Sequence, residues 1–92
     1  MSVSVARIYN VPLTNADTEY SQALSPYARA FMIQCRTFAD LKIAFNVGES
    51  GTVYISIPGS SSYSFDQPVA GVKTVYIQSP SAGVVVEILE WS

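Results

Sequence analysis

The sequence predicts an all-β chain: a single-domain antiparallel β-sandwich over residues 1–92, jelly-roll-like or another Greek key, with about eight strands. Three observations lead there. Of 92 residues, 34 are Val, Ile, Thr, Tyr, Phe or Trp, the side chains that fit a pleated, half-buried surface. Leu, the common filler of helix cores, occurs four times against eighteen Val and Ile. Turn formers recur at short intervals: Pro12, Asn15-Ala16-Asp17, Ser25-Pro26, Gly48, Gly51, Pro58-Gly59, Pro68, Gly71, Ser79-Pro80 and Gly83. Runs so spaced, with no helical periodicity between them, read as the strands of a sandwich or barrel. A chain of this length has room for one core.

Strands are expected near residues 3–11, 18–24, 29–37, 41–46, 52–57, 62–66, 73–79 and 84–91. The second has a helical competitor, because Ala16, Tyr20, Ala23 and Leu24 fit a helical spacing. Thr18 to Leu24 nevertheless alternates polar and apolar ahead of Pro26, which favours an extended segment. Alternation assigns the faces elsewhere. Phe31, Ile33 and Cys35 point one way in the third strand, and Met32, Gln34 and Arg36 the other. The fourth sends Leu41, Ile43 and Phe45 inward and leaves Lys42, Ala44 and Asn46 outside. After a hairpin connection at Gly48 and Gly51, the fifth buries Val53, Ile55 and Ile57 and exposes Thr52, Tyr54 and Ser56. Ser60-Ser61-Ser62 is a polar connection into the sixth. The seventh buries Val75 and Ile77, with Tyr76 and Gln78 opposite.

The eighth strand departs from this pattern. Val84, Val86 and Ile88 line one face, but Val85, Leu89 and Trp91 line the other, with Glu87 among them. A monomeric sandwich keeps its outer face polar, so this face should be covered. Either Trp91 folds over an edge of its own chain, or the strand lies at a subunit interface, where aromatics are enriched. Arg36 and Glu87 are lone charges on otherwise neutral outward faces. If the third and eighth strands pair, the two form a partly covered ion pair that fixes register more than it stabilises.

Composition limits the chemistry. There is no His, one Cys and a net charge of −2. Five scattered basic residues (Arg7, Arg29, Arg36, Lys42, Lys73) provide no cluster to neutralise phosphates, so no nucleic-acid partner is expected. Cys35 cannot form an internal disulfide and reads as a small buried hydrophobe. The Ser-His-Asp arrangement is impossible, and neither Lys follows a Ser at Ser-x-x-Lys spacing. Glu87 and Glu90 sit on opposite faces of one strand, and Asp17, Asp40 and Asp66 fall at turns, so no facing carboxylate pair is indicated. No zinc or calcium ligand set is present. Gly48-Glu49-Ser50-Gly51-Thr52 lacks the Lys and the helix of a phosphate loop. No enzymatic activity, metal or cofactor is expected. The N-terminal residues lack the pattern of a signal peptide, and apolar runs such as Val84-Val85-Val86 are too short to span a membrane; a soluble, cytoplasmically made chain is expected. The aromatics Tyr54, Tyr76 and Tyr63 suggest an alternative, a carbohydrate- or surface-binding module that stacks sugar rings on exposed tyrosines.

The stretch Arg29-Ala30-Phe31-Met32-Ile33-Gln34-Cys35-Arg36, followed by Leu41-Lys42-Ile43-Ala44-Phe45, resembles a Gln-x-Arg strand and its neighbour in small tailed-phage virion proteins. Lys73-Thr74-Val75-Tyr76-Ile77-Gln78-Ser79-Pro80, then Gly83-Val84-Val85-Val86-Glu87-Ile88-Leu89-Glu90-Trp91, is similar to their closing hairpin. The resemblance spans roughly residues 29–91 and rests on short strand patterns. It implies a β-sandwich virion component that decorates a capsid or forms a head fibre. It also implies a homo-oligomer such as a trimer, in contact with other virion proteins. No active site is carried over. Arg36, Val85, Glu87, Leu89 and Trp91 are the expected interface residues.

Overall fold

The computed structural model of the chain describes residues 6–25, 30–65 and 74–91. Eight strands are formed: β1 (Ala6–Leu13), β2 (Tyr20–Ala23), β3 (Ala30–Cys35), β4 (Leu41–Ala44), β5 (Ile55–Ile57), β6 (Ser62–Phe65), β7 (Thr74–Gln78) and β8 (Val84–Trp91). They make two antiparallel sheets, ordered β1-β8-β3-β6 and β2-β7-β4-β5. Every connection but β4–β5 passes from one sheet to the other, which is the topology of a jelly roll. The expected strand starts at Val3 and Lys73, the turns at Pro26, Pro68 and Gly71, and Arg29, Tyr27 and Asp66 lie outside the described residues. No helix among the described residues is long and apolar enough to cross a membrane.

Alternation produces the core. Leu13, Phe31, Ile33, Val86 and Ile88 face inward from one sheet, and Leu41, Ile43, Val75 and Ile77 from the other, each at most 1% exposed. Burial of each such side chain contributes about 1.5–3 kcal/mol. Phe31 meets Phe45 edge-to-face across the sheets, with ring centroids 6.3 Å apart. Cys35 is buried among these residues. Within the 18–24 segment Tyr20–Ala23 is extended, as β2, not helical, and pairs with β7 through Ser21 opposite Tyr76.

Three burial assignments change. Thr52 to Tyr54 are not in a strand, because Thr52 N and Val53 N both donate to the Glu49 carbonyl and close a turn. Val53 is therefore 66% exposed instead of buried. Ile55 keeps its inward register opposite Ile43 but is 39% exposed, since β5 is a sheet edge with core on one flank only. Ala44, expected outside, is buried; its methyl stands opposite the larger Tyr76.

Candidate functional site

β8 lies between β1 and β3, so its outward residues form rows across the sheet. Glu87 stands opposite Asn10 and Gln34, Leu89 opposite Ile8 and Met32, and Trp91 opposite Ala6 and Ala30. The Glu87 row is knit by side chains. Gln34 Nε2 donates to Glu87 Oε1 at 3.0 Å. Arg36 Nε donates to Glu87 Oε2 at 2.9 Å and Arg36 Nη2 to Asn10 Oδ1 at 3.1 Å. The Arg36 amide also donates to the Val85 carbonyl, which extends β3–β8 pairing past the end of β3 and carries the guanidinium over Glu87. The Gln34 amide, then the Arg36 guanidinium, hold the Glu87 carboxyl below its ordinary pKa. With side chains 50% and 29% exposed, the pair fixes register and adds little stability.

The next two rows are apolar. Ile8 is 71% exposed and Trp91 38%, while Met32 and Leu89 are half-buried. A shallow depression of about 210 Å³ lies over Ile8, Met32 and Leu89. The five residues expected at an interface thus share one sheet face, and Ile8 and Met32 join them. Ile8 was not visible from alternation alone, because it enters the patch only through the β1–β8 register.

The tyrosines are divided. Lys42 Nζ sits over the Tyr54 ring, 4.8 Å from its centroid, and so occupies one of its two faces. Tyr76 is half-buried in the same sheet. Tyr63 belongs to the other sheet, opposite Ile33, and packs against the core. The three do not make one platform.

At one end of the sandwich the 36–40 turn meets the 58–61 turn. Phe38 has φ 62°, a left-handed conformation that costs a residue with a Cβ about 1–2 kcal/mol, and its side chain is 75% exposed. Gly59 packs directly on it: a Cβ there would overlap the Phe38 carbonyl oxygen and lie 2.6 Å from the carbonyl carbon. Gly59 N donates to Asp40 Oδ1 at 2.8 Å, and Ser61 N to the Pro58 carbonyl at 2.9 Å. Between the turns is a cavity of about 230 Å³ lined by Gln34, Arg36, Glu87, Phe38 and the 60–62 serines.

Two carboxylates acquire structural roles that alternation did not reveal. Glu19 accepts from Gly48 N at 2.8 Å, Ser50 N at 3.1 Å and Ser50 Oγ at 2.6 Å. The Ser50 hydroxyl first, and the two amides after it, lower its pKa. The glycine loop at 48–52 therefore binds a carboxylate of its own chain. Glu90 is fully buried on the inward face, where its Oε1 accepts from Tyr9 Oη at 2.9 Å and Ser25 N at 2.8 Å. Its Oε2 has no partner among the described residues. Burial, and then Glu90, push the Tyr9 hydroxyl pKa up.

No family model matches the chain, and no curated protein does. Among solved structures it is similar to a de novo designed double-stranded β-helix determined by solution NMR. The two superpose with a TM-score of 0.52 at 12% identity, over 99% of this chain and 100% of that one. At that identity the likeness concerns the fold alone.

Proposed function

We propose that the chain is a non-enzymatic structural protein that self-associates through the outer face of the β1-β8-β3-β6 sheet and forms part of, or decorates, a phage particle. The observation that carries self-association is the apolar end of that face, where Ile8, Met32, Leu89 and Trp91 adjoin with Ile8 71% exposed. The occupant is a second copy. Strands of eight, eight, six and four residues at a rise of ~3.4 Å and a spacing of ~4.8 Å give a face on the order of 400 Å². Two such faces in contact bury on the order of 800 Å², the size of a weak, concentration-dependent interface. Arg36 and Glu87 neutralise each other at its polar end, so two copies meet there without like charges opposed. The particle setting is supported by the strand-sequence resemblance.

Light scattering after gel filtration, over a wide concentration range, tests the association. A mass above that of one chain is expected, falling toward it for Ile8→Ser and for Trp91→Ala. Ile8 is exposed, so its replacement leaves folding intact. A monomer at every concentration, or an oligomer indifferent to both substitutions, would refute the proposal.

A further inference from the structure

We propose that the cavity between Phe38 and the 58–61 turn is a binding site for one ring of a neutral sugar. It opens at the polar end of the same sheet face and shares Gln34 and Glu87 with the depression over Ile8, so the site is read at concentrations where the chain is monomeric. The ligand class follows from the charges that line it. Arg36 and Glu87 are the charged groups of its wall, and they are joined at 2.9 Å. A phosphate or carboxylate would meet Glu87 together with Arg36, and a cation would meet the reverse. A hydroxyl suits both, because it donates to a carboxylate oxygen and accepts from a guanidinium N–H. Vicinal hydroxyls fit an adjoining carboxylate and guanidinium especially well. Gln34 and the serine hydroxyls add groups that can either donate or accept.

Phe38 supplies the apolar half of such a site. Its ring is 75% exposed on a backbone held at φ 62°. Residues held in such sparsely populated backbone conformations cluster at functional sites, and the C–H face of a sugar ring stacks on an exposed aromatic surface. The wall opposite is fixed in advance: Gly59 is hydrogen-bonded to Asp40, and the Ser61 amide to Pro58. The size agrees, since about 230 Å³ falls below the ~300–1,000 Å³ of drug-sized ligands and suits a single ring.

The test is an amide and guanidinium NMR titration of the whole chain with glucose, galactose, mannose and N-acetylglucosamine, and separately with inorganic phosphate. At least one sugar is expected to move the Gly59 and 60–62 amides and the Arg36 Nε–H, saturating at millimolar concentration. Phe38→Ala, at an exposed position, should weaken that binding about five-fold or more. Glu87→Gln leaves Arg36 uncompensated and should bring on phosphate shifts absent from the parent. The proposal is overturned if none of the four sugars moves these resonances up to about 100 mM. It is equally overturned if Phe38→Ala binds as the parent does, or if phosphate binds the parent as well as any sugar.

Discussion

Gly59→Ala tests whether the two turns at the end of the sandwich are held by close packing or by glycine's backbone freedom. Gly59 is not left-handed, so Ala meets no dihedral penalty there; Gly83, at φ 73° with nothing within 4 Å of a new Cβ, presents the opposite case. At Gly59 the Cβ would lie 2.6 Å from the Phe38 carbonyl carbon, against at least 3.4 Å in ordinary contact. The obstacle is backbone, and its carbonyl oxygen is nearer still, so the 58–61 turn must retreat by more than about 1 Å. Overpacking of this kind costs about 1–3 kcal/mol, and weakening the Asp40–Gly59 hydrogen bond adds about 1 kcal/mol. A loss of about 3 kcal/mol follows, against about 1 kcal/mol for Gly83→Ala. For a domain of this size each kcal/mol lowers Tm by roughly 4–8 °C, so thermal and urea unfolding followed by circular dichroism separate the two variants. Both should be measured where the chain is monomeric, because association shifts Tm. If Gly59→Ala loses no more than Gly83→Ala, the tight apposition of the turns is wrong.

Two further outcomes concern Glu19 and the acid limb. Glu19→Ala removes three hydrogen bonds from the 48–52 loop and should cost about 2 kcal/mol, with faster hydrogen exchange at Gly48 and Ser50. Unchanged exchange there would mean the loop does not depend on this carboxylate. Glu19 and Glu87 both have lowered pKa values in the folded chain. The stability each contributes is therefore complete above the ordinary glutamate pKa and lost as the pH falls through the lowered value. Urea midpoints should fall as the pH drops below the ordinary glutamate range, and Glu19→Gln with Glu87→Gln should flatten that fall. An equally steep decline in the double variant would place the acid sensitivity elsewhere.

What alternation could reveal depended on how completely a strand is enclosed. β3, β7 and β8 lie inside their sheets, and their buried positions follow the period of two without exception; β4, also interior, departs from it at Ala44 alone. β5 lies at an edge, and the Glu49 carbonyl takes the amides that would have lengthened it, so local pattern misplaced Val53. The Arg36–Glu87 pair was legible on the condition that β3 and β8 adjoin. Glu90 was harder. Its position matches Val84, Val86 and Ile88, but its partners Tyr9 and Ser25 are 81 and 65 residues away, and a carboxylate is seldom assigned to a core without visible partners. Tyr63 faces inward with Ile33, which only the β3–β6 register establishes. The end cavity was invisible for the same reason: Phe38 and the serine turn are brought together by the bare backbone of Gly59.

The central position of β8 also bears on the order in which the sheet can be built. Ala6 pairs with Trp91 and Leu13 with Val84, while the other edge of β8 holds β3. Until β8 has been synthesised, β1 and β3 have no common neighbour, and the unpaired backbone N–H and C=O groups on their β8-facing edges remain open to other chains. Closing loops of this length before any contact forms is entropically slow. A nascent chain would therefore spend its longest exposed interval with the sheet unfinished, when pairing with a sister chain competes with completion of its own fold.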